Sequence, residues 1–273
     1  MTNMQQGAFE ALQSSECDEK CSLVFQLENQ WLAGELTLFS GESHASLDQP
    51  GRPTRPVLVE PSQLASRSLG SEEGRIGLIH SLAHIEFNAI NLALDAICRF
   101  SGMPDPYYSD WLEVAREEAE HFLMLREHLR RYGRDYGDLP AHGGLWRMAM
   151  DTAHDPMHRM ALVPRLMEAR GLDVTPGIIK KLTSIGEMEL VASLQRILDD
   201  EIGHVEVGNR WYGWLCRQRE LNPLATFKEL LSTCPVSIRG PFNEAARLEA
   251  GFTKEEMQLI NELDQAMRRP KSA

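Results

Sequence analysis

After residue 70, apolar residues recur at i, i+3, i+4 and i+7 over most of the chain, and glycine or proline breaks that rhythm at only a few places. The first long segment predicts a helix over Ile76–Phe100, with Glu72 and Glu73 in a favourable first turn. It is apolar on nearly all sides, which marks a buried helix. A second helix is predicted from Asp110, with Glu113 as capping-box partner, to Gly133. A loop with Gly137, Pro140 and Gly143–Gly144 then leads to a short helical piece at 146–152. A third helix is predicted over Met157–Arg170, closed by Gly171, and Thr175–Pro176 opens a further segment. Gly186 leads into the fourth, Glu187–Arg219. Helices with Gly240–Pro241 and Thr253 at their starts, the latter with Glu256 three residues on, finish the chain.

Before residue 71 the pattern is different. Residues 1–40 form an amphipathic opening of uncertain type, with Phe9, Leu12 and the stretch Leu23–Leu38. A Pro/Gly-rich connector, Gly41–Pro61, carries Pro50, Gly51, Pro53 and Pro56, whose fixed φ and missing donors predict an extended strap. The organisation expected is an N-terminal extension with strap at 1–71, a helical bundle at 72–219 and a C-terminal helical extension at 220–273. Four long helices around an apolar interior make an all-α four-helix bundle with additions.

Composition narrows the function classes. The 273 residues are 42% hydrophobic and 25% charged, with a net charge of −12. An ordinary core is therefore available, and broad attraction to phosphate backbones is disfavoured. No apolar run approaches the ~18 residues of a membrane span. The N-terminus has neither a basic start nor a hydrophobic stretch, so a cytoplasmic location is expected. Cys17, Cys21, Cys98, Cys216 and Cys234 are an odd number without disulfide spacing, and thiols in a reducing compartment are expected.

The informative residues are glutamates on apolar faces. Glu86 shares its face with Ile79, Leu82, Ala83, Ala89, Ile90 and Ala93. Glu118 has Trp111, Val114, Ala115, Phe122 and Leu125 in the equivalent places, with His121 three residues on. Glu201 has Leu194, Ile197, Leu198 and Val205, with His204 three on. An ionised carboxylate buried alone costs several kcal/mol, so three directed inward require cationic company. With 27 glutamates and nine histidines, chance supplies about one Glu-x-x-His, so placement rather than motif count carries the argument. Each pair also follows an upstream glutamate at a matching distance: Glu86 before Glu118, and Glu168 before Glu201. The stripe around Glu168 is weaker, with Pro164 and Arg165 at i−4 and i−3 and Gly171 at i+3.

One glutamate from each of two helices plus Glu-x-x-His from each of two others is the ligand plan of di-iron and di-manganese carboxylate bundles. Carboxylates can bridge two ions, imidazole suits iron, and four carboxylates offset two divalent cations. On these residues the stretch 72–219 resembles the ferritin-like superfamily. Asp200-Glu201-x-x-His204 and Glu117-Glu118-x-x-His121 are similar to the acid-Glu-x-x-His form of bacterial di-iron monooxygenases and ribonucleotide reductase small subunits. That resemblance implies that Asp200 and Glu117 support ligand histidines from behind. Closer still, His84-Ile85-Glu86, the segment 137–142, the segment 168–176 and the segment 200–205 resemble blocks of an uncharacterised bacterial ferritin-like family, a domain of unknown function. A more distant resemblance is to the tRNA hydroxylase acting on isopentenylated adenosine.

The resemblance implies two iron ions, with manganese as an alternative in one position, and dioxygen as co-substrate. The ligands would be Glu86, Glu118, His121, Glu168, Glu201 and His204. The leading expectation is an enzyme that hydroxylates or otherwise oxidises an unknown organic substrate, with electrons from a separate donor protein. Two alternatives are an iron-handling ferroxidase or peroxide scavenger and a metal-stabilised binding protein without activity. The strap, the 137–146 loop and the C-terminal helices are expected to wall part of a cavity running from the metal centre to the surface. His80 and His84 read as packing histidines and His142, His154 and His158 as surface ones. The cluster Arg126, Arg130, Arg131 and Arg134 suits a helix C-terminus better than tRNA.

Overall fold

The structure, a computed structural model, describes residues 2–38, 47–65, 68–233 and 238–268. Among the described residues, the regular structure other than helix is one parallel pairing of two-residue strands, β1 (Thr2–Asn3) with β2 (Leu36–Thr37), and a single bridge between Leu58 and Ala141. Two units are present, Met1–Ala153 and His154–Ala273. Their boundary falls inside the segment 72–219.

In the first unit, the opening resolves into two helices, α1 (Met4–Gln13) and α2 (Cys17–Leu32). The long helix α3 (Glu72–Arg99) starts at Ser71, whose hydroxyl accepts the Gly74 amide at 3.1 Å. It packs along α4 (Asp105–Arg131), and α1 and α2 cover the pair. Helix α4 begins five residues before the Asp110 start expected from the sequence. Pro106 sits in its first turn, where the missing N–H has no helical acceptor to lose, and Asp110 lies inside the helix. The added turn buries Tyr107 and Tyr108, and the Tyr108 hydroxyl donates to the Phe100 carbonyl at 3.0 Å. Helix α4 ends at Gly133, which takes φ 67°. A short helix, α5 (Gly144–Asp151), closes the unit.

The strap is extended where it is described, from residue 47; Gly41 to residue 46 lie outside the described residues, as does Cys234. Gly51 donates its amide to the Leu12 carbonyl at 2.8 Å, and a Cβ there would come within 2.0 Å of the Gln13 carbonyl oxygen. Only glycine permits that approach. Further along, the Trp146 indole donates to the Asp48 carbonyl at 2.9 Å, and Ala141 exchanges backbone bonds with Val57 and Val59.

In the second unit, α6 (Pro156–Leu162) passes through a π turn (Val163–Glu168) into α7 (Ala169–Ser184). Gly171 therefore does not close a helix, and Thr175–Pro176 does not open one. Pro164 has no N–H to give the α ladder, and the backbone accommodates it by widening to the π register. The helix persists past Gly171 because side chains beyond it are tied down. Asp173 accepts two bonds from the Arg247 guanidinium at 2.9 and 2.8 Å, and Arg247 also donates to the Ala169 carbonyl at 3.3 Å. Helix α8 (Met188–Gln218) packs on this composite helix; its Gly208 lies where a Cβ would be 2.5 Å from the Pro164 ring. The C-terminal part contains α9 (Pro223–Thr233), which the sequence reading passed over, then α10 (Glu244–Glu249) and α11 (Lys254–Arg268). Gly240–Pro241 precedes α10, whose cap is Asn243. Thr253 and Glu256 form the expected reciprocal cap of α11, at 3.0 and 3.1 Å.

The pair Arg247–Asp173 is buried on both sides. Asp173→Ala leaves the guanidinium without its carboxylate and is expected to cost about 3–5 kcal/mol. Urea unfolding measures it; a loss below about 1 kcal/mol would show that water replaces the carboxylate.

Candidate metal-binding residues

The first unit brings three of the expected ligands together. Glu86 on α3 is 3% exposed, and Glu118 and His121 on α4 are 1% and 0% exposed. One ligand atom from each of the three lies within 4.8 Å of the other two, and the Glu118 Oε2 to His121 Nδ1 distance is 3.5 Å. Local sequence explains the placement. Ile79, Ala83, Ile90 and Ala93 beside Glu86, and Ala115, Phe122 and Leu125 beside Glu118, are all buried, so each carboxylate rides on the stripe that packs α3 against α4. Such a cluster is costly as bare charge and suits a divalent cation, for which carboxylate and imidazole are apt donors.

In the second unit, Glu201 and His204 are buried on α8, with Glu201 Oε2 at 3.8 Å from His204 Nδ1. Glu168 is the last residue of the π turn and is half-buried. That turn accounts for its poor α-helical stripe, since in π register a residue's neighbour one turn back is i−5, here the buried Val163. Among the described residues, this unit alone assembles no three-ligand group. Arg196 lies 3.7 Å from Asp200, and Arg116 pairs with Glu117 at 2.8 Å while also meeting Glu28 and Glu120.

The α3 histidines, Arg126 and Arg130 have structural partners. His80 Nε2 accepts the amides of Gly137 and Leu139 at 3.0 and 3.4 Å. His84 bonds the Tyr136 hydroxyl at 2.8 Å and the His142 carbonyl at 3.1 Å. Burial lowers both rings to a pKa of about 4. Arg126 holds Asp135 at 2.6 Å and Asp18 at 2.7 Å, and Arg130 also faces Asp135. The basic cluster is thus partly neutralised from within.

One feature escaped the sequence reading, and another lies elsewhere than expected. Lys20 is fully buried, donates to the last carbonyls of α1 (Ala11 and Leu12, both 2.9 Å) and lies 5.7 Å from the Phe87 ring centre. Burial lowers its pKa to about 7. The test that found the glutamates would have found it, because Cys17, Val24 and Leu27 share its face. The second is a cavity of about 530 Å³ between the strap, α3 and α5. The strap and the 137–146 loop do wall a cavity, but Glu86, Glu118 and His121 do not line it. Its α3 residues (His84, Phe87, Asn88, Asn91) centre about 150° around the helix from Glu86.

Cys17, Cys21, Cys98 and Cys216 are buried and form no disulfide among the described residues, and burial pushes Cys17 and Cys21 up to about 11 and about 12. No described helix is long and apolar enough to cross a membrane.

His80 supplies a pH test. Its folded pKa lies below its ordinary 6.5, so between 6.5 and about 4 the unfolded chain binds the extra proton. Stability is therefore lost as pH falls through that window. His80→Gln keeps an acceptor for Gly137 but cannot protonate. Its urea midpoint is expected to depend less on pH over this range than that of the wild type; equal slopes would assign the titration elsewhere.

Comparison with known proteins places the chain in a family. Residues 13–258 match the family described as "Protein of unknown function (DUF455)", and the chain belongs to it. A relative in Haemophilus influenzae, described as an uncharacterized protein, is 42% identical over 280 aligned positions, covering 98% of this chain and 97% of that protein. No solved structure matches.

Proposed function

We propose that this member of a family of unknown function is a di-metal carboxylate oxidoreductase of ferritin-like type. The observation that carries the reading is the buried group Glu86, Glu118 and His121, whose ligand atoms lie within 4.8 Å of one another in an apolar setting. The second buried Glu-x-x-His pair, Glu201 with His204, supports it. The fold proposed for residues 72–219 is a ferritin-like four-helix bundle. Glu86, Glu118, His121, Glu168, Glu201 and His204 then hold two iron ions, or iron and manganese. Four carboxylates balance two divalent charges, and the carboxylate-imidazole donor set leaves positions open.

Bound iron would supply dioxygen activation for oxidation of an organic molecule, with electrons from a separate protein. The chain's own contribution is to exclude water around the carboxylates and to fix the two histidines by packing. Asp200 and Glu117 are proposed to support those histidines. A second reading, iron handling by a ferroxidase or peroxide scavenger, is favoured by one observation: none of the six residues lines the 530 Å³ cavity.

Anaerobic titration with iron(II) tests the common premise. Two iron ions per chain are expected, with Glu118→Ala and Glu201→Ala each reducing the count to one or none. A wild-type count near zero, or variants that bind as the wild type does, would overturn the proposal. Iron should also raise thermal stability, by about 2.7 kcal/mol at a free concentration a hundred times Kd, since only the folded chain presents the set. Melting curves with and without iron check this.

A further inference from the structure

The 530 Å³ cavity of the first unit has the size of a small-molecule site and walls of a definite chemistry. Its apolar part includes the flat, stiff rings of Phe87, Trp146, Pro50 and Pro56, beside the aliphatic Leu58, Val59 and Met150. Those walls are held in place. The Trp146 indole is tied to the Asp48 carbonyl, and Phe87 packs on Phe122 and Tyr136 at ring-centre distances of 5.4 Å each.

The polar part is asymmetric. Asn91 is 1% exposed and its amide nitrogen donates to the Phe87 carbonyl at 2.9 Å. That bond fixes the amide orientation, because the reversed amide would set two oxygens against each other. The Asn91 oxygen, so oriented, meets no protein donor and requires an N–H or O–H from elsewhere. At the other side, Glu60 and Arg147 face each other at 3.9 Å, and the lining also holds Asp48 and Arg52; Arg52 is exposed and has no ion-pair or hydrogen-bond partner among the described residues. The charge of Arg52 is felt at both His84 and Tyr136, which also line the cavity.

We propose that this cavity is a binding site for a small organic anion with a flat apolar body and a hydrogen-bond donor. The anionic group meets Arg52, the body lies among Phe87, Trp146 and the strap prolines, and the donor reaches Asn91. This site is separate from the carboxylate cluster and does not depend on a metal, because its α3 residues lie on the side of the helix away from Glu86.

Indole-3-acetate carries all three features; indole lacks the anion, and tryptamine replaces it with a cation. The chain has five tryptophans, so 5-fluorotryptophan labelling gives five fluorine resonances, and Trp146→Phe identifies the one in the cavity. Indole-3-acetate is expected to shift the Trp146 resonance saturably with a millimolar or tighter Kd, ordinary for a ligand of about thirteen non-hydrogen atoms. Indole and tryptamine should bind about tenfold more weakly. Arg52→Gln should weaken indole-3-acetate about tenfold, and Asn91→Leu should weaken indole-3-acetate and indole alike, with the other four resonances reporting an intact fold. No saturable shift of the Trp146 resonance would overturn the proposal. So would equal binding of tryptamine, or an Arg52→Gln protein that binds as the wild type does. Binding that persists in metal-free Glu118→Ala protein separates this outcome from that of the proposed metal centre.

Discussion

The energetic constraint behind this fold is desolvation of carboxylates. Glu86 and Glu118 occupy positions where a leucine would be the ordinary choice, on the very stripes that join α3 to α4. A fully buried leucine there would contribute about 1.5–3 kcal/mol, and a charged glutamate instead costs several. The surroundings must supply the difference. They do so with long helices of 28 and 27 residues, two covering helices, and the aromatic packing of Phe87 on Phe122 between α3 and α4.

In the second unit the same problem is handled with arginines. Arg165 is buried in the π turn, bonds Glu256 of α11 and Asn209 of α8, and lies within 4.1–5.0 Å of the Phe227, Tyr212 and Phe252 ring centres. Arg247 of α10 grips Asp173 and the Ala169 carbonyl just beyond that turn. The residues before and after Glu168 are therefore fastened to the C-terminal helices, which are part of how this helix holds its shape.

Helix existence and the burial of the glutamates were legible because both depend on local periodicity. Ile79, Ala83, Ile90 and Ala93 mark one face whatever the partner helix is. The failures occurred where a distant partner overrides a local signal. Gly171 and Pro176 read as helix breaks, yet Asp173 between them is claimed by Arg247, 74 residues away. Asp110 reads as a cap, yet burial of Tyr107 and Tyr108 rewards an earlier start. Helix α9 did carry a start signal that the reading missed, Asn222 before Pro223, whose side chain accepts the Ala225 amide at 2.9 Å, and its buried face is set by Phe227 and Leu231 meeting the rest of the unit. The cavity was foreseeable as a consequence of a long strap, but its side of α3 depends on where the strap crosses, which no periodicity encodes.

The π turn at Val163–Glu168 carries a further consequence for how this helix can change over time. A π turn is one residue more than the α ladder needs. Deleting any one of residues 163–167 would mend the ladder and improve the backbone locally. It would also swing Arg165 or Glu168, and everything upstream relative to everything downstream, by about 100°. Backbone regularity and side-chain direction are thus in opposition across six residues. In this stretch a repair of the helix is a lesion of what it displays, so single-residue length changes should be tolerated far less well than substitutions.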